Sequence, residues 1–86
     1  MRKLVAIVRP FERFQTVYVY EDSNKIDQLK VALTDLNNTI FSLSEKYSVK
    51  DITLIGSKHF NQGIQKGLMV AEKQKYNKQE FNITLI

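Results

Sequence analysis

The first third of the chain alternates apolar runs with short polar breaks, which predicts two neighbouring strands. Residues Leu4–Val8 form an uninterrupted apolar run, typical of a strand that is buried on both faces at the centre of a sheet. Pro10 ends this run, because proline has no N–H group to donate to a sheet ladder. Over Thr16–Tyr20 the pattern alternates, so the valines share one face and Tyr18 and Tyr20 share the other. The short link between the two runs indicates a hairpin.

The middle of the chain carries the period of an amphipathic helix. Residues Glu21–Asn24 supply helix-start chemistry, and Asp27 follows Asn24 at capping-box-like spacing. The pattern then predicts one long helix over residues 26–47, which the polar break at residues 48–50 ends. Its apolar stripe recurs at alternating steps of three and four residues, and comprises Ile26, Leu29, Leu33, Leu36, Ile40, Leu43 and Tyr47.

The remaining residues predict a strand, a second helix and a last strand. Ile52–Ile55 is a second buried strand, the helix runs from about His59 to Tyr76, and Phe81–Ile86 closes the chain. Gly63 and Gly67 fall within the apolar stripe of this helix. We therefore expect both glycines to let its backbone approach the sheet or the first helix closely.

This order of elements, ββαβαβ, predicts one α/β domain of the mixed α+β kind over residues 1–86. We expect a four-stranded mixed sheet and two helices in two or three layers. Right-handed crossovers make the first, third and fourth strands parallel, with the hairpin strand antiparallel at one edge. The helices share one face of the sheet or lie on opposite faces, depending on a strand order that the pattern leaves open.

The order of elements resembles a reduced ribonuclease H-like fold, with one hairpin strand missing. Members of that family that cut nucleic acid place an aspartate in the middle of the first strand, and further carboxylates nearby hold two metal ions. Here Leu4–Val8 contains no acid, and Asp51 stands at the beginning of its strand. The resemblance therefore implies the fold without nuclease chemistry.

Composition narrows the class of protein and its partners. The chain has no cysteine, which excludes disulfides and thiolate metal sites. The first apolar run is too short for a signal peptide or a membrane helix, so we expect a cytoplasmic protein without a membrane partner. A net charge of +4 favours anionic partners, although scattered lysines are also typical of a solvated surface. Frequent Lys, Asn and Ile are typical of an AT-rich coding genome, bacterial or phage.

A candidate anion site lies where the third predicted strand meets the second helix. Gly56-Ser57 occupies the carboxyl end of that strand, where helix N-termini present free N–H groups to ligands. If the first strand is its parallel neighbour, the residues after both strands emerge at one edge. An ordinary capped helix with solvated charges explains the same pattern. The candidate anion or nucleic-acid site comprises Arg9, Arg13, Ser57, Lys58 and His59.

No catalytic, metal or cofactor site is predicted. The glycines match neither a Walker A loop nor a dinucleotide-binding fingerprint. His59 has no cysteine partner, no second histidine and no nearby acid to orient it.

Three aromatic residues are secondary candidates for stacking or for an interface. Tyr18 and Tyr20 can stack nucleic-acid bases, cover a dimer interface, or stand as ordinary strand tyrosines. Phe41 lies at the flank of the long helix's stripe, where it leaves apolar surface for a partner. The sequence thus predicts a small non-catalytic binding or accessory protein that contacts an anionic partner, most simply nucleic acid. The alternative is a protein-interaction or regulatory module, phage-encoded or homodimeric, that acts through a helix or sheet surface.

Overall fold

Within residues 1–74 and 81–86, which the computed structural model describes, the chain forms five strands, a short 3₁₀ turn and two helices. The mixed α+β architecture with two helices that the sequence predicts is confirmed. In chain order the elements are β1 (Arg2–Val8), β2 (Phe14–Glu21), β3 (Asn24–Ala32), the 3₁₀ turn (Leu33–Asp35), α1 (Leu36–Tyr47), β4 (Asp51–Gly56), α2 (Lys58–Gln74) and β5 (Asn82–Leu85).

The strands form one mixed sheet with the order β3-β2-β1-β4-β5. Strand β2 runs antiparallel to both of its neighbours, whereas β1, β4 and β5 are parallel to one another. The predicted parallel set is therefore confirmed. The antiparallel strand does not lie at the edge, because β3 pairs with its outer side.

The predicted four-stranded sheet and the first half of the predicted long helix are wrong. Residues 24–32 are the strand β3, which pairs with β2 from Phe14↔Ala32 to Glu21↔Asn24. The residues read as a helix start are the hairpin turn between these strands, where Asp22 adopts a left-handed conformation with φ 55°. A β-bulge beside Tyr20 breaks the alternation of β3, which explains why its apolar residues fit a helical period.

The ends of the other predicted elements agree closely with the structure. Helix α1 ends at Tyr47, and Ser48 caps it in a left-handed conformation with φ 54°. The predicted end of the second helix at Tyr76 and the break after it lie outside the described residues. Neither described helix has the length and apolar character needed to cross a membrane.

Both helices pack on one face of the sheet. Each helix lies in a crossover connection between parallel strands: α1 connects β3 to β4, and α2 connects β4 to β5. Both connections run in the same direction along the sheet, so two right-handed crossovers place both helices on the same face. Leu36 and Ile40 of α1 and Leu68 of α2 are fully buried between the layers. The inward residues of the strands complete this core: Leu4, Ala6, Val8, Val17, Val19, Val31, Ile52 and Leu54.

The two glycines of α2 have different surroundings. A Cβ atom at Gly67 would collide with the side-chain amide of Asn37 on α1, so this glycine permits close approach of the helices, as predicted. A Cβ atom at Gly63 would meet nothing within 4 Å. The packing prediction for Gly63 is therefore wrong, because Gly63 borders a hollow that Leu33 and Asn37 also line, and no described atom lies against it.

Candidate functional site

Strands β1 and β4 end side by side, and this places the residues that follow them at one edge of the sheet. Val8 pairs with Gly56, and the Ser57 N–H donates to the Val8 carbonyl oxygen at 3.3 Å. Gly56 has φ 117°, and a Cβ atom there would collide with the same carbonyl oxygen. Only glycine allows the two strand ends to approach in this way.

Ser57 caps helix α2 at this edge. Its Oγ accepts a hydrogen bond from the Phe60 N–H at 3.5 Å, and its carbonyl oxygen accepts the Asn61 N–H at 2.9 Å. Lys58 and His59 follow in the first turn and are exposed. The structure therefore brings the predicted residues after β4 to the same edge as Arg9, which follows β1.

The loop that carries Arg9 and Arg13 is held by a buried glutamine, Gln15, which is only 1% exposed. The Gln15 Nε2 donates to the carbonyl oxygens of Arg9 at 2.8 Å and Glu12 at 3.1 Å, and its Oε1 accepts the Arg9 N–H at 2.5 Å. The Glu12 N–H also donates to the Arg9 carbonyl oxygen at 3.0 Å. Sequence reasoning missed Gln15, although it occupies the same inward register of β2 as the core valines.

The charges at this edge are exposed and mostly positive. The Arg9 guanidinium lies 3.4 Å from a Glu12 carboxylate oxygen, in an ion pair that solvent screens. The Arg13 guanidinium lies over the ring of Phe14, 5.9 Å from its centroid. We call the five predicted residues, Arg9, Arg13, Ser57, Lys58 and His59, the basic edge.

Three phenylalanines beside the basic edge are exposed, and sequence reasoning did not select them. Phe11 in the β1–β2 loop is fully exposed, Phe14 is 51% exposed, and Phe60 of α2 is 43% exposed. The ring of Phe60 packs against the His59 ring, edge to face, with 6.4 Å between centroids. The alternation of Phe with Arg and Glu in the loop was the available sequence signal.

Tyr18 and Tyr20 lie on the face of the sheet opposite the helices, as the alternation in β2 predicts. Their ring centroids are 6.1 Å apart. The Lys25 Nζ lies 5.6 Å from the centroid of the Tyr18 ring and donates to the Gln28 Oε1 at 2.8 Å. Both tyrosines are half-buried by their neighbours on this face.

The strand registers define the rest of this face, which no described element covers. Cross-strand pairing connects Lys25, Tyr20, Lys3 and Asp51 in one row and Gln28, Tyr18, Val5 and Thr53 in the next. We call this surface the open face. It comprises Lys3, Val5, Ile7, Phe14, Thr16, Tyr18, Tyr20, Lys25, Gln28, Lys30, Asp51, Thr53 and Ile55.

Phe41, the third secondary candidate, lies on α1. Its ring is half-buried, packs against the core and meets the ring of Phe81 edge to face, with 6.1 Å between centroids. The long helix that placed Phe41 beside free apolar surface does not exist before residue 36. Phe41 therefore contributes to the packing of the fold.

A titratable pair ties β3 to α1 on the helix side of the sheet. The Tyr47 hydroxyl donates to the Asp27 Oδ2 at 2.7 Å. This hydrogen bond lowers the pKa of the Asp27 carboxyl group and raises the pKa of Tyr47. The pair lies away from both the basic edge and the open face.

The described residues contain no group of three or more His, Cys, Asp or Glu side chains that could hold a metal ion. The chain matches no protein-family model, and comparisons with curated proteins and with solved structures give no match. The function must therefore be argued from the basic edge and the open face themselves.

Proposed function

We propose that this protein is a small, non-catalytic nucleic-acid-binding accessory protein that contacts its partner through the basic edge. The observation that supports this is the meeting of β1 and β4 at Val8 and Gly56, which places Arg9 beside the N-terminus of α2. The free N–H groups and partial positive charge of a helix N-terminus favour phosphate, and the exposed Lys58 adds a full charge.

The shape of the basic edge favours a polymer over a small anion. Arg9, Arg13, Lys58 and His59 are all exposed, so no one of them is held in an enclosed, desolvated pocket. Exposed cations bind weakly one at a time, but a polyanion that contacts several of them releases several counterions. The net charge of +4 has the same sign as the edge. We propose a cytoplasmic location for this activity.

We also propose that the fold is ribonuclease H-like and lacks the catalytic carboxylates of that family. In support, β3 supplies the hairpin strand that the sequence resemblance lacked, and β1 is central with β4 as its parallel neighbour. The central residues Leu4–Val8 contain no acid. A nucleic-acid-binding role without cleavage follows from this combination.

A protein-interaction or regulatory module, homodimeric or phage-encoded, is the second candidate function. The fully exposed ring of Phe11 favours it, together with the half-exposed ring of Phe14 in the same part of the chain. Exposed aromatic residues that lie close together often mark protein contacts. The same residues border the basic edge, so both candidates can be tested with one set of variants.

The test compares Arg9→Ala and Lys58→Ala with the unchanged protein for binding to labelled RNA and DNA over a range of salt concentrations. We expect each change to weaken binding. Each lost phosphate contact should also lower the slope of log affinity against log salt by about 0.7–0.9. Lys46→Ala is the matched control, because Lys46 lies at the opposite end of β1 from the basic edge. The neighbouring Tyr47 carbonyl oxygen accepts a hydrogen bond from Arg2 Nη1, which places the end of α1 beside the start of β1.

The absence of binding to RNA and DNA at low salt would contradict the proposed function. A complex with a protein partner or a second copy that survives Arg9→Ala but is lost in Phe11→Asp would instead support the second candidate. Because both residues are exposed, these changes should leave the stability of the fold nearly unaltered.

A further inference from the structure

The open face carries aromatic and cationic groups in a regular arrangement along one strand. Three aromatic residues, Phe14, Tyr18 and Tyr20, occupy outward positions of β2, with Thr16 between the first two. Arg13 lies over the ring of Phe14, and Lys25 lies over the ring of Tyr18. The rings of Phe14 and Tyr18 therefore each have a cation beside the π-system.

The centre of the open face is apolar and its rim is basic. Val5, Ile7 and Ile55 are half-buried at outward positions of β1 and β4, where an exposed sheet face usually carries polar residues. Lysines stand around this centre. They are Lys3, Lys25 and Lys30.

The charge of this rim selects an anionic partner. Among the described acidic side chains none lies within ion-pair distance of Lys3, Lys25 or Lys30. Asp51 is the acid of the open face; it stands at the start of β4 and accepts a hydrogen bond from the Asn82 Nδ2 at 3.2 Å. A second copy docked face to face by twofold symmetry would oppose two sets of the same lysines, which disfavours a homodimer through this surface.

The open face is continuous with the basic edge. A shallow hollow connects the two at the carboxyl end of β1. It is lined by Ile7, Arg9, Glu12, Phe14, Thr16 and Tyr18. Arg9 and Glu12 are the charged residues of this hollow, and they form an ion pair with each other. A phosphate backbone bound at Arg9 can continue from the hollow onto the sheet.

From this arrangement we infer that the open face binds single-stranded nucleic acid along β2, with bases stacked on Tyr18 and Tyr20 and phosphates beside Lys25 and Arg13. This inference rests on the proposed function and names its substrate class. Every nucleobase has a π-face, so stacking on these rings requires no particular sequence. In a duplex those faces are covered by neighbouring base pairs, and only the rim lysines could make contact.

The test uses fluorescence anisotropy with labelled single strands of about 12 nucleotides, within the usual site size for such surfaces, and with a hairpin duplex of equal charge. Tyr18→Leu and Tyr20→Leu remove the aromatic ring and keep apolar bulk. We expect each to weaken single-strand binding about tenfold, with little change in the salt slope. Tyr18→Phe keeps the ring and should bind as the unchanged protein does.

Two further variants separate stacking from charge and from general effects. Lys25→Gln should lower the salt slope by about 0.7, the value for one phosphate contact on a single strand. Met69→Ala removes an exposed apolar side chain from the later turns of α2, away from both the basic edge and the open face, and should change nothing. Thermal melting of each variant checks that it is folded. If a leucine variant does not fold, the two separate variants Tyr18→Phe and Lys25→Gln still test the inference through their affinity and salt slope.

Equal or tighter binding of the duplex, or leucine variants that bind like the unchanged protein, would overturn the inference. If Arg9→Ala and Lys58→Ala still weaken binding in that case, the proposed function stands without it. If no oligonucleotide binds at low salt, both proposals fall together.

Discussion

Two buried side-chain amides, Gln15 and Asn61, differ in whether their hydrogen-bonding groups are satisfied. Gln15 uses both its oxygen and its nitrogen to hold the β1–β2 loop at Arg9 and Glu12. Asn61 lies in the first turn of α2 and is 0% exposed, and neither its Oδ1 nor its Nδ2 has a hydrogen-bond partner in the described part of the protein. A buried amide without partners costs stability, whereas a paired one is close to neutral or favourable.

Replacement by leucine should therefore have opposite effects on the stability of the fold at these two positions. Gln15→Leu leaves backbone groups of Arg9 and Glu12 unpaired and should lower the free energy of unfolding by about 1–3 kcal/mol. Asn61→Leu replaces the unsatisfied amide by an apolar group of similar branched shape and should raise it by about 1 kcal/mol. Urea unfolding measures both, provided that the m-value is unchanged. If Asn61→Leu destabilises as much as Gln15→Leu, the amide of Asn61 is satisfied in solution.

The phenylalanines around the β1–β2 loop show how a residue type can mislead at this scale. Phenylalanine in a small domain usually belongs to the core. Here Phe11 is fully exposed and Phe14 is half-exposed, although Phe41 and Phe81 pack against the core as expected. The difference follows from position, because Phe11 lies in a loop beyond the end of the sheet and Phe14 lies on the open face, which no described element covers.

At the scale of elements, β3 is where local pattern and tertiary pairing compete. Its residues Ile26 and Leu29 are three apart, and Leu29 continues at helical spacing into the stripe of α1. As a strand, β3 pairs over its whole length with β2. The hydrogen bonds of this pairing stabilise the strand, although the bulge beside Tyr20 interrupts the alternation of apolar and polar residues. The predicted stripe is correct from Leu36 onward, where the helix begins.

Helix α2 provides a matched pair of glycine substitutions. Gly63→Ala should raise the free energy of unfolding by up to about 1 kcal/mol, because alanine has the better helix propensity and its Cβ meets open space. Gly67→Leu should lower it by about 1–3 kcal/mol, because the new side chain must displace Asn37 and separate α1 from α2. Chemical denaturation of both variants tests this contrast. A stabilised Gly67→Leu protein would show that Asn37 moves aside without loss.

At the scale of the whole molecule, two helices lie on one face of a five-stranded sheet, and no described element forms a layer on the other face. Sheets of this kind usually bury one face and expose polar side chains on the other. The aliphatic residues in the middle of the open face depart from that rule, and so do the outward aromatic residues of β2. Both features are explained if the surface has a ligand that stacks and carries negative charge.

The molecule as a whole should bind nucleic acid without cutting it. The central strand β1 contains no acid between Leu4 and Val8, and Asp51 is remote from the end of β4 that forms the basic edge. We expect labelled RNA and DNA to remain intact with Mg²⁺ or Mn²⁺, since two-metal cleavage needs several convergent carboxylates. Gel analysis after prolonged incubation measures this. Cleavage that persists through purification, stops with a chelator and is lost in Asp51→Asn would contradict the prediction.

The sequence by itself determined the features that depend on neighbours along the chain. Local spacing and residue type predict the strand state of the apolar runs in β1 and β4, the alternation that separates Tyr18 from the inward valines, and the cap at Ser57. They do not predict that one face of β1 and β4 lacks a covering layer in the described structure. Apolar periodicity and capping chemistry act within a few residues, so they can be recognised without the fold. The candidate residues of the basic edge came from this local chemistry.

The tertiary structure alone decided which of these features meet. Pairing of Val8 with Gly56 brings together residues 48 positions apart, and only that pairing places Arg9 beside Ser57. The strand state of residues 24–32 depends on hydrogen bonds from β2, and the shared side of the helices depends on the strand order. The different surroundings of Gly63 and Gly67 depend on where α1 lies. Long-range pairing and packing set these outcomes, because a local period of three or four residues is compatible with more than one partner in space.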